Sequence, residues 1–456
     1  MSAYSSRRLL APAVALALLA STADPAAAQD EQERVAIAWV EAFNGGIDAM
    51  AAFRADHVNS ERPDWRSRYG SFREQWGDLE IYGMMIEQPN EVIVGLRSSN
   101  EGRMRLVVAF DAGNKITDIR VDDRGDGRDN PAPPLELPTD GAQRERAIDD
   151  YLRGLAQAGV LSGSVLLARD GEVWFERAYG LASREFNAPN TLETRFDVGS
   201  FNKDYTRLAI TQLLQDDRLA LSDTVGEYLP EYPNDRVRNE VTIEQLLDHR
   251  SGLGDYFTPE YLETPMGSLW EIDDYIPIWG PKPLEYEPGT RTQYSNFGYT
   301  VLGAIVESIT GVSYPEYVQE HVFRPAGMND TGFFATDGIE PNVAVGYTTM
   351  DRTGRPGDRV RKNIFHEPVI GGPWGKSYST ARDLFRFFAA LFEGKLIGDE
   401  LNWLPDGWNT SMGLAGGGPG LSAILLVENG VAVIVLANQD EPGAENVASR
   451  LLEALR

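Results

Sequence analysis

Apolar positions recur along the chain in two rhythms, and their order divides it into regions. Over residues 32–43, Val35, Ala38, Trp39, Ala42 and Phe43 fall at helical spacing until Asn44-Gly45-Gly46 breaks the pattern. Residues 47–55 and 65–76 predict two more helices. The period then drops to two, and residues 79–87, 91–97, 103–110 and 115–121 read as strands. Helices followed by antiparallel strands predict a small α+β domain over residues 29–121.

Residues 122–141 (DDRGDGRDNPAPPLELPTDG) replace periodicity with Pro, Gly and Asp, as a linker does. Its Arg124-Gly125-Asp126 triplet invites an adhesion reading and its acids a calcium one, but the acids lack EF-hand spacing and a solvated linker is expected there. Residues 142–158 predict a helix. Over residues 163–179 the pattern is strand, Asp170-Gly171, strand, a strong hairpin signal. Residues 421–427 and 431–437 flank Glu428-Asn429-Gly430 as a second hairpin, and residues 445–455 close the chain as a helix. The middle is mostly helical. Residues 142–456 are therefore expected to form an α+β domain whose antiparallel sheet is assembled from both ends, with helices flanking it and a helical subdomain between.

The first 28 residues carry a different pattern. Arg7 and Arg8 precede an apolar run over residues 9–20, and Ala26-Ala27-Ala28 stands before Gln29, as in a cleaved signal peptide. The run is shorter than the about 20 residues a membrane span needs. Export to a periplasm or the medium is the expectation, with no transmembrane segment after cleavage.

Composition narrows the chemistry. The 456 residues include no Cys, which excludes a disulfide framework, a Cys nucleophile, zinc–thiolate and iron–sulfur sites, and a lipid anchor on Cys. Lys+Arg number 42 against 69 Asp+Glu, a net charge of −27, so nucleic acids are poor partners. The 4 His show no paired metal spacing. No metal or cofactor is expected.

No Gly-x-Ser-x-Gly elbow occurs. Instead, Ser200-Phe201-Asn202-Lys203 opens a helix whose apolar stripe continues through Leu208, Ile210, Leu213 and Leu214. Of the six lysines, only Lys203 follows a serine by three positions, which puts the two side chains on one helical face. Such a pair can do nucleophilic catalysis if the lysine is neutral. Lowering its pKa from about 10.4 to about 7 requires roughly 4–5 kcal/mol from burial. In Tyr294-Ser295-Asn296, Tyr can relay the nucleophile's proton if a nearby cation depresses its pKa, and Asn can orient an amide. Residues 413–420, Gly-Leu-Ala-Gly-Gly-Gly-Pro-Gly, lead into the last hairpin and let a substrate approach backbone N–H groups that hold an oxyanion. Residues 371–377 nearly spell a phosphate loop, but they are one residue short and Pro373 lacks a donor, so no nucleotide site is expected.

With these residues in view, residues from about 143 to 456 resemble the serine β-lactamase and penicillin-binding-protein superfamily, in its class C and esterase branch. The carrying phrases run in order: Phe196-Asp197-Val198-Gly199-Ser200-Phe201-Asn202-Lys203, Leu219-Ala220-Leu221-Ser222-Asp223, Leu246-Leu247-Asp248-His249-Arg250-Ser251-Gly252-Leu253, Tyr294-Ser295-Asn296-Phe297-Gly298-Tyr299 and Ser379-Thr380-Ala381-Arg382-Asp383-Leu384. The resemblance implies a β-lactamase-like fold with Ser200 as acylated nucleophile and Lys203 and Tyr294 sharing the proton traffic. It implies Asn296, Leu414 and Gly416 as substrate contacts, the N–H groups of Ser200 and Gly417 as oxyanion hole, and a structural His249. One departure stands out. Where the family places Lys, His or Trp, this chain has Leu414. Losing a charge-assisted hydrogen bond to a substrate carboxylate costs about 1.5–3 kcal/mol, roughly 10- to 150-fold. The expectation is an exported carboxylesterase acting on a small neutral ester. A β-lactamase or D-Ala-type peptidase or amidase, and an inactive binding protein on the same fold, are the alternatives. Residues 29–121 resemble an NTF2-like cone in element order.

Overall fold

The computed structural model describes residues 25–58, 65–88, 91–98, 102–111, 113–122, 132–353, 356–398, 408 and 410–456. Residues 1–24 of the expected signal peptide and 123–131 of the expected linker lie outside them. Two compact units are distinguished, the first ending at Val121 and the second running Asp122–Arg456, with Gly102–Arg105 grouped with the second.

In the first unit, helices α1 (Pro25–Asn44), α2 (Ile47–His57) and α3 (Trp65–Trp76) precede strands β1 (Leu79–Gln88), β2 (Glu91–Ser98), β3 (Gly102–Phe110) and β4 (Ile116–Asp122). The strands form one sheet in sequence order. Each predicted element is present, and α1 runs through the expected cleavage point at Gln29. Asn44, which ends α1, also starts the sheet: its Nδ2 donates to Leu79 O (2.7 Å) and its Oδ1 accepts from Leu79 N (2.9 Å). Trp39, Phe43 and Phe53 of the helices and Val94, Leu96 and Val108 of the sheet are buried. The likeness to an NTF2-like cone is one of element order.

The second unit opens with α4 (Gly141–Gln157), whose N-cap Asp140 accepts from Gln143 N (2.9 Å). Strands β5 (Gly163–Arg169) and β6 (Glu172–Tyr179) are joined by Asp170 and Gly171 at φ +51° and +82°. Those are the left-handed values a two-residue hairpin turn requires. A helical middle contains α5 (Asn202–Gln215) and α6 (Asn296–Thr310), and α7 (Ala381–Phe392) follows. Then come β7 (Ser411–Gly418), β8 (Leu421–Glu428), β9 (Val431–Ala437) and α8 (Gly443–Leu455). The sheet order is β7-β8-β9-β5-β6, antiparallel throughout, so strands from both ends of the unit meet where β9 pairs with β5.

Side chains alternate across this sheet. Val165, Leu167, Val433 and Val435 pack with Ile148 and Leu152 of α4 and Leu451 of α8. Leu166, Ala168, Ile434 and Leu436 face the opposite way, toward Leu208 of α5 and Leu384 and Phe388 of α7. With both faces covered, β9 is buried along its whole length, which is why its sequence is a continuous apolar run. A separate core around Leu213, Leu246, Tyr256, Trp279 and Leu302 holds the helical middle. The fold is thus the α+β arrangement predicted, an antiparallel sheet between helices with a helical subdomain. Among the described residues no helix is long and apolar enough to cross a membrane.

Candidate active site

The head of α5 is built by the chain before it and clasped by a distant segment. Phe196–Asp197 pairs antiparallel with Tyr378–Ser379, and Val198 N donates to Ser377 O (3.0 Å). Asp197 Oδ1 accepts from Gly199 N (2.9 Å). A single 3-10 turn, Gly199–Phe201, then delivers Ser200 to the start of α5. Gly199 stands at φ +52°, and a Cβ there would meet Leu421 at 2.9 Å and Gly417 N at 3.1 Å. Three successive carbonyls receive donors from the first turns of α5: Gly372 O from Asn202 Nδ2 (2.9 Å), Pro373 O from Thr206 Oγ1 (2.7 Å) and Trp374 O from Lys203 Nζ (2.5 Å). Asn202 Oδ1 accepts in return from the amide and hydroxyl of Ser377. The segment that only resembles a phosphate loop is a clasp on this helix.

Ser200, Lys203, Tyr294 and Asn296 are brought together. Ser200 Oγ lies 2.7 Å from Tyr294 Oη and 3.1 Å from Lys203 Nζ, and Nζ lies 2.7 Å from Asn296 Oδ1. Lys203 is 7% exposed. Burial lowers its amine to about 7, against the opposing pull of Asp255, Asp204 and Glu367. A neutral amine has two N–H donors and one lone pair. Asn296 Oδ1 and Trp374 O take the two donors, so the lone pair is left for Ser200 Oγ.

Tyr294 reverses one expectation. A nearby cation was to depress its pKa; instead burial raises it above the ordinary 10, and the bond to Ser200 opposes the rise only in part. Tyr294 is still 44% exposed, so water moderates the rise without changing its direction. The phenol therefore holds its proton at neutral pH, and the basic group beside Ser200 is Lys203.

Two further residues position this pair. Asp255 Oδ2 accepts from Asn296 N (3.1 Å) and Nδ2 (2.8 Å), which turns the Oδ1 of that amide toward Lys203. Asp255 belongs to no local motif, and sequence reasoning missed it. His249, expected to be structural, lies with its ring centroid 4.5 Å from that of Tyr294, and its Nδ1 accepts from Ser295 N (3.2 Å). Burial and the charges of Lys203 and Arg207 push it down to about 3, so it packs as a neutral ring.

The glycine-rich strand approaches from the other side. A Cβ on Gly416 would stand 2.0 Å from Val198 O and 2.9 Å from Ser200 N, so only glycine lets β7 come this close. Gly417 lines a cavity of about 150 Å³ together with Ser200, Tyr294, Asn296, Phe257 and Trp374. Leu414 is not on this wall. It is partly buried and packs against the central core. Three charged residues that sequence reasoning missed do line the cavity: Asp197, Glu367 and Lys376. Among the described residues no group of three potential metal ligands occurs.

Comparison with known proteins identifies the family of the second unit. Residues 145–456 match the Beta-lactamase family. The chain belongs to that family. Protein PbpX of Bacillus subtilis (strain 168) is 32% identical over 256 residues, 56% of this chain and 59% of PbpX. Protein flp of Staphylococcus aureus (strain MW2) is 30% identical over 212 residues, 46% of this chain and 42% of flp. The chain thus spans less than two thirds of the length of these curated relatives. Among solved structures, a penicillin binding protein from Bacillus halodurans superposes with a TM-score of 0.59 at 30% identity, covering 67% of this chain and 100% of that one. D-amino acid amidase from Ochrobactrum anthropi SV3 gives 0.56 at 25% identity, covering 68% and 98%. Residues 145–456 form a serine hydrolase domain of the β-lactamase and penicillin-binding-protein type.

Proposed function

We propose that the protein is an exported carboxylesterase working through an acyl-enzyme on Ser200. The observation that carries this reading is the buried Lys203, its two donors engaged and its Nζ 3.1 Å from Ser200 Oγ. Oγ attacks the ester carbonyl carbon as its proton passes to Nζ. The oxygen that becomes negative is held by the N–H groups of Ser200 and Gly417. Collapse breaks the ester C–O bond, and the departing alkoxide takes the proton that Lys203 received, with Tyr294 Oη hydrogen-bonding alongside. Water then attacks the acyl-enzyme by the same relay in reverse and releases the acid. Asn296 fixes Lys203 and keeps one N–H of Nδ2 for the substrate.

Leu414 is partly buried against the core, and among the described residues the one cation lining the cavity is Lys376, whose ammonium donates to Thr336 Oγ1 and Pro368 O. Neither offers a ready partner for a substrate carboxylate, which supports esters lacking one over β-lactams and peptidoglycan stems. The likeness to the Ochrobactrum amidase supports a second reading, cleavage of small amides by the same residues. A fluorophosphonate probe is expected to add mass to the Ser200 peptide, and a short-chain nitrophenyl ester to turn over faster than a chromogenic cephalosporin. Label on a different serine, or equal hydrolysis by Ser200→Ala, refutes the reading. Export is supported by residues 1–28. The exported protein should begin at Gln29, and an uncleaved chain confined to the cytoplasm would speak against it.

A further inference from the structure

The glycine strand beside Ser200 carries a neighbour that the acyl-transfer chemistry does not use. The position a Cβ on Gly417 would take is filled by Glu441, whose Oε1, Cδ and Cγ are the three atoms nearest to it. Covalent geometry then puts Oε1 within about 4 Å of Gly417 N, the donor assigned to the developing oxyanion. Glu441 is exposed. Its place is set by the residue before it. Asp440 Oδ1 accepts from Gly420 N (2.8 Å) in the turn between β7 and β8, and Oδ2 accepts from Thr349 N (2.9 Å) and Oγ1 (3.1 Å). The segment between β9 and α8 is thereby folded back onto the end of β7, with the Glu441 carboxyl laid against Gly417. Successive residues of a strand face opposite ways. On the other face, a Cβ on Gly418 would stand 3.6 Å from Oε1 of Glu367, on the cavity wall. The end of the oxyanion strand thus runs between two carboxyls.

An ionised carboxyl carries acceptors and no donor. A carboxylate on a substrate needs donors or a positive charge, and Glu441 supplies neither, whatever else its oxygens bond. A bound carbonyl oxygen stands about 3 Å from Gly417 N, so groups near the reacting ester come within about 7 Å of the Glu441 carboxyl. Two like charges at that separation cost about 3- to 50-fold in affinity, between the effective dielectrics of water and of a protein surface. We propose that Glu441 is a specificity-determining residue that bars substrates carrying a carboxylate near the reacting ester. This rests on the acyl-enzyme reading of Ser200 and Gly417. It gives the preference for uncharged esters a second cause, beyond the engaged ammonium of Lys376.

The test uses matched pairs of esters, each a free carboxylate against its methyl ester. One pair bears the charge on the acyl side (nitrophenyl adipate), the other on the leaving group (3-acetoxybenzoate). In at least one pair, wild type should favour the methyl ester tenfold or more in kcat/KM. Glu441→Gln, which keeps the side-chain shape, should narrow that ratio at least threefold, and Glu441→Arg should narrow it further. Comparing one ratio across variants cancels the intrinsic reactivity of each ester. Salt gives an independent check: raising ionic strength from about 0.02 M to about 0.5 M should narrow the wild-type ratio more than that of Glu441→Gln. A preference under tenfold in both pairs, or a wild-type ratio that salt does not move, overturns the assignment. So does a narrowing under threefold in Glu441→Gln, even if Glu441→Arg narrows it, because an introduced cation attracts carboxylates on its own account. Hydrolysis that Ser200→Ala fails to abolish overturns the acyl-enzyme reading instead, whatever the ratios.

Discussion

At the scale of residues, the behaviour of Lys203 decides when the site works. The amine is a base only when neutral, and burial has moved its titration to about 7. The groups around it are Ser200, Asn296 and Tyr294, the neutral His249, and the carboxyls of Asp204, Asp255 and Glu367. The expected kcat/KM for a neutral ester therefore rises with pH through about 7 and then levels off. Asp204 and Glu367, themselves lifted to about 7 by burial, broaden that rise because the groups titrate together. Asp255 allows the assignment to be checked. Its charge holds a proton on Lys203, so Asp255→Asn should shift the rise to lower pH. Asp255→Ala also releases the Asn296 amide and should cost about 10- to 100-fold in kcat, the worth of one charge-assisted hydrogen bond. A pH profile that neither variant moves would show that Asp255 only fills space.

At the scale of elements, α5 depends on its clasp. Asn202 is fully buried and bonds Gly372 O together with the amide and hydroxyl of Ser377. Asn202→Ala leaves these groups without partners and is expected to lower unfolding stability by about 2–4 kcal/mol, read from urea denaturation. A loss below about 0.5 kcal/mol would mean that water replaces the side chain at little cost. This element also marks the boundary of what a sequence discloses. Both hairpins were legible because Asp170-Gly171 and Asn429-Gly430 declare left-handed turns locally. Ser200 and Lys203 were legible because helical spacing joins them, and Gly416 and Gly417 because a run of glycines is rare within a strand. Asp255, Glu367 and Lys376 carry no such local sign. They reach the cavity through folding of segments far apart in the chain, and nothing in their neighbours announces it. Leu414 shows the converse: its motif position was legible, but its packing into the core was not.

At the scale of the whole molecule, among the described residues the three apolar clusters of the second unit draw on residues from Ala132 onward. A protein lacking residues 1–121 is accordingly expected to melt cooperatively and to retain ester hydrolysis within about threefold of the full chain. Loss of cooperative melting, followed by calorimetry, would show instead that the first unit is required for the second to fold.

The sheet order has a consequence in time. Because β5, already paired with β6, joins the rest of the sheet through β9, where Val435 lies opposite Val165, the pairing closes a loop that contains the whole helical middle. Such distant pairings are entropically late, and they make folding slow. Synthesis completes the Ser200–Lys203 pair long before it supplies Gly416 and Gly417. During that interval the chain carries a serine and its base but no strand to hold a developing oxyanion. Under the proposed mechanism, hydrolysis therefore becomes possible only once the last strands have paired.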